Sequence, residues 1–130
     1  MSTVPHQVID FLRQSAPFDV FDKDTLLHTA KHTKVIYLTE DNKEKVLDEY
    51  CPGLFLIQSG QFIITDERGK ERHLSEGDYF GFIMLLDPNE GKMQVTVDSP
   101  GVIYCFSPEV FKQRSENKSF LAFFTAARDD

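Results

Sequence analysis

The chain has 130 residues and a mass of 14.9 kDa, the size of one domain. Its 41% hydrophobic residues exclude disorder, and its net charge of −7, with no cluster of Lys and Arg, argues against nucleic-acid or anionic-membrane binding. It has no apolar run long enough to span a bilayer and does not open with a signal peptide, so we expect a cytoplasmic protein.

Two helices are predicted at the start of the chain. Residues 5–14 place Val8, Phe11 and Leu12 on one helical face, and a helix break follows at residues 16–17. The second helix is predicted over residues 23–33, with Asp22 or Asp24 as its N-cap.

The middle of the chain has the pattern of short strands separated by turns. We expect strands at residues 35–38, 54–57, 61–65, 71–74, 94–97 and 102–106, and a further short strand that begins at residues 46–47 and ends near residues 51–53. The turn at Ser59-Gly60 predicts a hairpin between 54–57 and 61–65, and the turn at residues 99–101 predicts that 94–97 pairs with 102–106. Residues 80–86 are apolar without alternation and predict a short helix or turn.

The end of the chain, residues 108–127, is predicted to be helical, with Ser107 as cap and Pro108 in the first turn. Its phenylalanines exceed what one helix face buries, which favours packing on the barrel or a homodimer interface through the C-terminal helix. The predicted fold is mainly β: a double-stranded β-helix (jelly roll) with flanking N- and C-terminal helices. One domain covers residues 1–130, with helices at 5–33, the jelly roll at about 34–106 and the C-terminal helices at 108–127.

Residues with reactive or metal-binding side chains do not form a catalytic pattern. Cys51 and Cys105 lack CxxC spacing and are predicted to be reduced and partly buried. His28 and His32 have a spacing that can hold a metal, but no third ligand is evident, so a solvated helix face explains them. We expect no enzyme activity, no metal and no cofactor.

Two motifs carry a family resemblance. Residues 54–60 (LFLIQSG) and, after a short interval, residues 74–81 (LSEGDYFG) resemble the cyclic-nucleotide-binding domain family, the cAMP-receptor-like jelly roll. Residues 11–19 and 120–124 look like the N-terminal domain of bacterial signal-transduction proteins. In those proteins CBS domains and a nucleotidyltransferase-type domain follow. The resemblance implies that the chain is part of a longer multidomain protein with C-terminal effector domains.

The resemblance also implies a ligand site, the phosphate-binding cassette (residues 80–94). Its expected ligand-binding residues are Phe80, Gly81, Phe82, Ile83, Met84, Lys92, Met93 and Gln94. Gly60 and Gly77 are expected to be structural turn glycines. In the family, backbone N–H groups and an Arg hold the cyclic phosphate, while a Glu after the cassette Gly accepts the ribose hydroxyl.

This sequence departs from that pattern. Phe82 stands where the family has Glu, and the family's Arg aligns with Met93 or Gly91, with Lys92 as the nearest cation. The expected function is a non-enzymatic regulatory or sensor domain with a degenerate cassette that controls an attached effector domain. The residues leave three hypotheses for the pocket: a cyclic nucleotide such as cAMP, another small ligand, or a filled pocket in a structural or dimerisation module.

Overall fold

The computed structural model describes residues 4–90 and 92–128. The helices are α1 Val4–Arg13, α2 Lys23–Lys31, α3 Lys43–Tyr50, α4 Phe82–Leu86, α5 Pro108–Arg114 and α6 Lys118–Arg128, with a 3-10 turn at Phe18–Val20. The strands are β1 Lys34–Leu38, β2 Leu54–Ile57, β3 Gln61–Asp66, β4 Glu71–Leu74, β5 Tyr79–Phe80, β6 Met93–Ser99 and β7 Gly101–Phe106. They form antiparallel sheets ordered β1-β7-β2-β5 and β4-β3-β6. The predicted jelly roll with flanking helices is confirmed.

Two predicted strand pairings are wrong. β2 pairs with β5 and β7, and β3 pairs with β4 and β6, so neither β2 and β3 nor β6 and β7 form a hairpin. The chain crosses from one sheet to the other at both turns. The turns hold each other in place: the N–H groups of Gln58 and Ser59 donate to the Val102 carbonyl at 2.9 and 3.1 Å, and the Val102 N–H donates to Ser59 Oγ at 3.0 Å.

The short strand predicted from residues 46–47 to near residues 51–53 is also wrong, because residues 43–50 form helix α3. The surrounding Lys, Glu and Leu residues favour a helix, and Val46 is buried against the barrel core. Side chains at the start of this segment bind the edge of β6. Lys43 Nζ donates to the Val95 carbonyl at 2.6 Å, and the Val97 N–H donates to Glu40 at 2.9 Å. Lys43, the first residue of α3, and Glu40, in the turn before it, therefore satisfy backbone groups that the edge strand β6 leaves unpaired.

Local capping explains where the flanking helices begin. Of the two predicted N-caps, Asp22 is used: the Thr25 N–H donates to its carboxylate at 2.8 Å. Hydrogen bonds from the side chain and then the N–H of Thr25 lower the pKa of Asp22. Ser107 caps α5 through the Val110 N–H at 3.2 Å, with Pro108 in the first turn, as predicted. The second helix ends at Lys31, two residues before the predicted end at residue 33.

Alternate side chains of β2 belong to two different cores. Leu54 and Leu56 pack with the helices, while Phe55 and Ile57 face the interior of the barrel, and all four are fully buried. This follows from the two-residue period of a strand that is covered on both faces. β2 is thus the common wall between the helical layer and the barrel.

The two cysteines are free, with Cys51 half-buried and Cys105 buried. Burial raises the pKa of the Cys51 thiol to about 11 and raises the pKa of Cys105 as well. We expect native protein at pH 8 to react with iodoacetamide at least about tenfold more slowly than urea-unfolded protein, because the thiolate is the nucleophile. Mass spectrometry of quenched samples measures both rates, and equal rates would contradict the buried thiols.

Candidate functional site

A cleft lies between the sheet β4-β3-β6 and the segment formed by β5 and α4. We call it the cassette cleft. Its volume is about 80 Å³. The residues that line it are Ile64, Asp66, Lys70, Arg72, Leu74, Tyr79, Phe80, Gly81, Phe82, Ile83, Lys92 and Met93.

Gly81 joins β5 to α4 at the base of the cleft. Its φ of +86° lies in the left-handed region, which favours glycine. A Cβ at this position would lie 2.6 Å from the Gly53 carbonyl oxygen and 2.7 Å from the Phe55 ring. The packing of the protein itself thus already requires a glycine at this position.

The cleft brings together most of the predicted ligand-binding residues. Those that line it are Phe80, Gly81, Phe82, Ile83, Lys92 and Met93. Met84 is half-buried in α4 and does not line the cleft. Gln94 is exposed on the outer face, since the alternation of β6 turns its neighbours Met93 and Val95 inward. Gly91 lies outside the described residues.

The two predicted turn glycines both have left-handed backbone conformations, with φ of +98° at Gly60 and +90° at Gly77. Neither lines the cassette cleft. Gly60 belongs to the crossing point between the sheets, where a Cβ would lie 2.8 Å from the Ser99 carbonyl oxygen.

Phe82 belongs to both the cleft and the helical core. Its side chain is 5% exposed, and its ring centroid lies 5.3 Å from that of Phe124 on α6. α6 also contacts β5, because Phe124 packs edge-on against Tyr79 at 5.1 Å. Phe82 therefore connects the wall of the cleft to the C-terminal helix.

Sequence reasoning missed the polar residues that face the cassette from the opposite sheet. Arg72 and Lys70 line the cleft together with Asp66. The missed signal was the two-residue period of β4: Leu74 lies opposite the buried Phe62, so Arg72, two residues earlier, lies opposite Ile64 on the same inner face.

The charges at the cleft are mainly positive, although the whole chain is acidic. Three cations, Lys70, Arg72 and Lys92, line it with a single carboxylate, Asp66. The backbone N–H groups of Lys70 and Arg68 each donate to Asp66 Oδ1 at 2.9 Å, and these bonds hold the pKa of Asp66 below its ordinary value. The arrangement suits an anionic group at the cleft.

The model of the cyclic nucleotide-binding domain family matches residues 46–118, more than half of the chain. The chain belongs to this family. A search of curated proteins found no relative that matches. The predicted resemblance to the family is therefore confirmed. The comparisons do not show an association with CBS or nucleotidyltransferase-type domains.

Solved structures with this fold include regulatory chains of protein kinase A and the sensor domain of a transcriptional regulator. The regulatory domain of Toxoplasma gondii PKA with cAMP has a TM-score of 0.62 and 22% identity over 84% of this chain and 43% of that chain. The sensor domain of the transcriptional regulator DNR from Pseudomonas aeruginosa has a TM-score of 0.70 and 14% identity, over 92% of this chain and 88% of that chain.

A third similar structure is the regulatory subunit of a cAMP-independent protein kinase A from Trypanosoma cruzi bound to guanosine. Its TM-score is 0.66, with 14% identity over 86% of this chain and 41% of that chain. The chain thus spans about two fifths of the length of these kinase regulatory chains. At these identities the similarity shows the fold.

In this cyclic nucleotide-binding domain, α6 also forms ion pairs with the loop that follows α4. Arg128 Nη2 lies 3.3 Å from Asp87 and 3.1 Å from Glu90. Partial exposure makes such pairs weak, and we assign them a positioning role for the end of α6.

The histidines of the cyclic nucleotide-binding domain do not form a metal site in the described residues, where no group of three or more His, Cys, Asp or Glu side chains could hold an ion. His28 and His32 are exposed, and their ring centroids lie 4.5 Å apart on α2. No helix among residues 4–90 and 92–128 is long and apolar enough to cross a membrane.

Proposed function

We propose that the chain is a non-enzymatic sensor module that binds a nucleotide-class anion in the cassette cleft and thereby controls an attached effector domain. The observation that carries the proposal is that three cations, Lys70, Arg72 and Lys92, line the same cleft as cassette residues 80–83. They do so in a chain whose net charge is −7. Membership of the family supports a cyclic nucleotide as the first ligand to test.

The cassette in this proposal is degenerate. Phe82 replaces a hydroxyl acceptor with an apolar ring, and neither Met93 nor Gly91, the two positions that align with the family's Arg, has a side chain that can pair with phosphate. Binding therefore depends on charges from elsewhere in the cleft, and we expect weaker affinity than a complete cassette would provide.

Control of an effector is supported by the position of α6. Phe124 packs on Phe82, and Arg128 contacts Asp87 and Glu90 on the loop that follows α4. A ligand that displaces α4 would change the relative stability of alternative α6 positions, provided that it binds them with different affinity. The resemblance to the N-terminal domains of bacterial signal-transduction proteins supports CBS and nucleotidyltransferase-type domains as the effectors.

The test is a thermal-unfolding titration with cyclic AMP, cyclic GMP and cyclic dinucleotides up to millimolar concentration. A ligand at about 100 times its Kd stabilises a protein by about 2.7 kcal/mol, which raises Tm by roughly 10 °C at this size. We expect a dose-dependent rise with at least one nucleotide, which Lys92→Ala reduces. Lys112→Ala, an exposed lysine on α5 outside the cleft, serves as the matched control.

A structural or dimerisation module without nucleotide binding is the second candidate. It is favoured by the volume of the cleft, about 80 Å³, against about 300–1,000 Å³ for small-molecule sites. The buried Phe82 ring occupies part of this region. If no nucleotide shifts Tm, the sensor proposal fails and this second candidate takes its place, with sedimentation measurements testing for a dimer.

A further inference from the structure

We infer that Arg72 is the main anion contact of the cassette cleft, so that the ligand is a nucleoside phosphate whose charged group faces β4. This rests on the proposed function and adds the orientation of the ligand and the residue that recognises it. The cation would come from the sheet opposite the cassette segment, and not from the cassette itself.

The position of Arg72 follows from the register of β4 against β3. Arg72 lies opposite Ile64 and Leu74 lies opposite Phe62, both of which are buried partners from β3. Opposed residues of an antiparallel pair share one face, so the Arg72 side chain is on the inner face, while Glu71 and His73 on the same strand are exposed.

No ion pair of Arg72 with a carboxylate is found in the described part of the chain; the ion pairs found there include Lys43 with Glu40 and Arg128 with Asp87 and Glu90. Asp66, the one carboxylate at the cleft, accepts hydrogen bonds from the N–H groups of its own turn. A half-buried guanidinium beside apolar side chains thus remains able to pair with an incoming anion.

Arg72 also has the better geometry of the available cations. A guanidinium presents paired N–H donors that match two phosphate oxygens, whereas a lysine offers a single charged centre. Lys92 is exposed in the loop just before β6, at the rim of the cleft, and we assign it a supporting role. The apolar lining from Ile64 and Leu74 lowers the local dielectric constant and strengthens the pairing with Arg72.

The experiment titrates ¹⁵N-labelled protein with adenosine 5′-monophosphate, adenosine and inorganic pyrophosphate while amide shifts are followed. The variants are Arg72→Gln, Arg72→Lys and the matched control Arg68→Gln, an exposed arginine in the preceding turn that does not line the cleft. Thermal unfolding of each variant verifies that it is folded, and Arg72→Lys keeps the charge while removing the paired donors.

We expect the wild type to bind adenosine 5′-monophosphate at least about tenfold more tightly than adenosine, since charge-assisted hydrogen bonds contribute that much or more. Arg72→Gln should abolish this preference, Arg72→Lys should reduce it, and Arg68→Gln should keep it. Equal affinity for the two ligands in the wild type, or a preference that survives Arg72→Gln, overturns the inference and leaves the proposed function intact.

If neither adenosine compound binds, the thermal titration with cyclic nucleotides remains the test of the proposed function, and the pyrophosphate titration decides the inference by itself. Shifts of β4 amides that occur in the wild type and vanish in Arg72→Gln support the anion contact. The absence of such shifts in the wild type, or their persistence in Arg72→Gln, overturns it.

Discussion

Replacing Gly101 by alanine should destabilise the protein by about 3 kcal/mol, the upper end of the usual cost of overpacking, because the added methyl group would overlap backbone atoms. A Cβ on Gly101 would overlap the Ser59 carbonyl and lie 2.6 Å from Gly60 Cα. These atoms form the crossing point between the sheets, where Ser59 is held to Val102 by hydrogen bonds. Urea unfolding followed by circular dichroism measures the loss.

Gly69→Ala is the matched control for Gly101→Ala. A Cβ there meets no atom within 4 Å, although the φ of +82° is unfavourable for alanine. We expect the free energy of unfolding to fall by about 1–2 kcal/mol, because only the left-handed conformation disfavours alanine there. Equal destabilisation by the two variants would show that the close approach at the crossing point is not what requires Gly101.

Phe124→Ala should cost about 3–5 kcal/mol in the free energy of unfolding, since it removes a fully buried ring and leaves a cavity. The ring lies 5.4 Å from that of Phe111, 5.1 Å from that of Phe120 and 5.3 Å from that of Phe82. The loss should also loosen α4, because Phe82 then lacks its contact on α6. Unfolding in urea and amide exchange in α4 measure the two effects.

Phe123→Ala is a control on the same helix, one residue earlier. Phe123 is 39% exposed, so we expect its removal to cost about 1 kcal/mol or less. A loss as large as that of Phe124→Ala would contradict the assignment of Phe124, and not Phe123, to the helical core.

Local signals in the sequence predicted many of the helices and strands. They did not predict which strands pair with each other. Capping by Ser107 and the apolar run of β2 are visible in a few consecutive residues. The partners of β2, by contrast, are β5 and β7, which lie far along the chain, and no local pattern distinguishes them from β3. The segment around Val46 was misassigned because two apolar residues are too few to establish a period.

The sequence predicted the residues that the cassette contributes to the candidate site. It did not predict those that come from the opposite side of the cleft, Lys70 and Arg72. The motif ending at Gly81 locates the cassette segment, since turn glycines have a recognisable pattern. Arg72 was overlooked because its role depends on which face of β4 points inward. Its spacing of two from Leu74 contained that information, but only once the strand had been placed against Phe62 and Ile64.

The burial of β2 on both faces has a mechanical consequence for the cassette cleft. Phe55, whose ring stacks on Phe80 at 4.9 Å, cannot retreat without displacing Leu54 and Leu56 from the helical core. This wall is stiff, since close-packed interiors resist deformation. Phe80, which lines the cleft, is therefore held against a stiff support, whereas the adjoining α4 is only five residues long and contacts α6 through Phe82. On this side of the cleft, a ligand that displaces α4 would therefore act on α6 through the contact between Phe82 and Phe124.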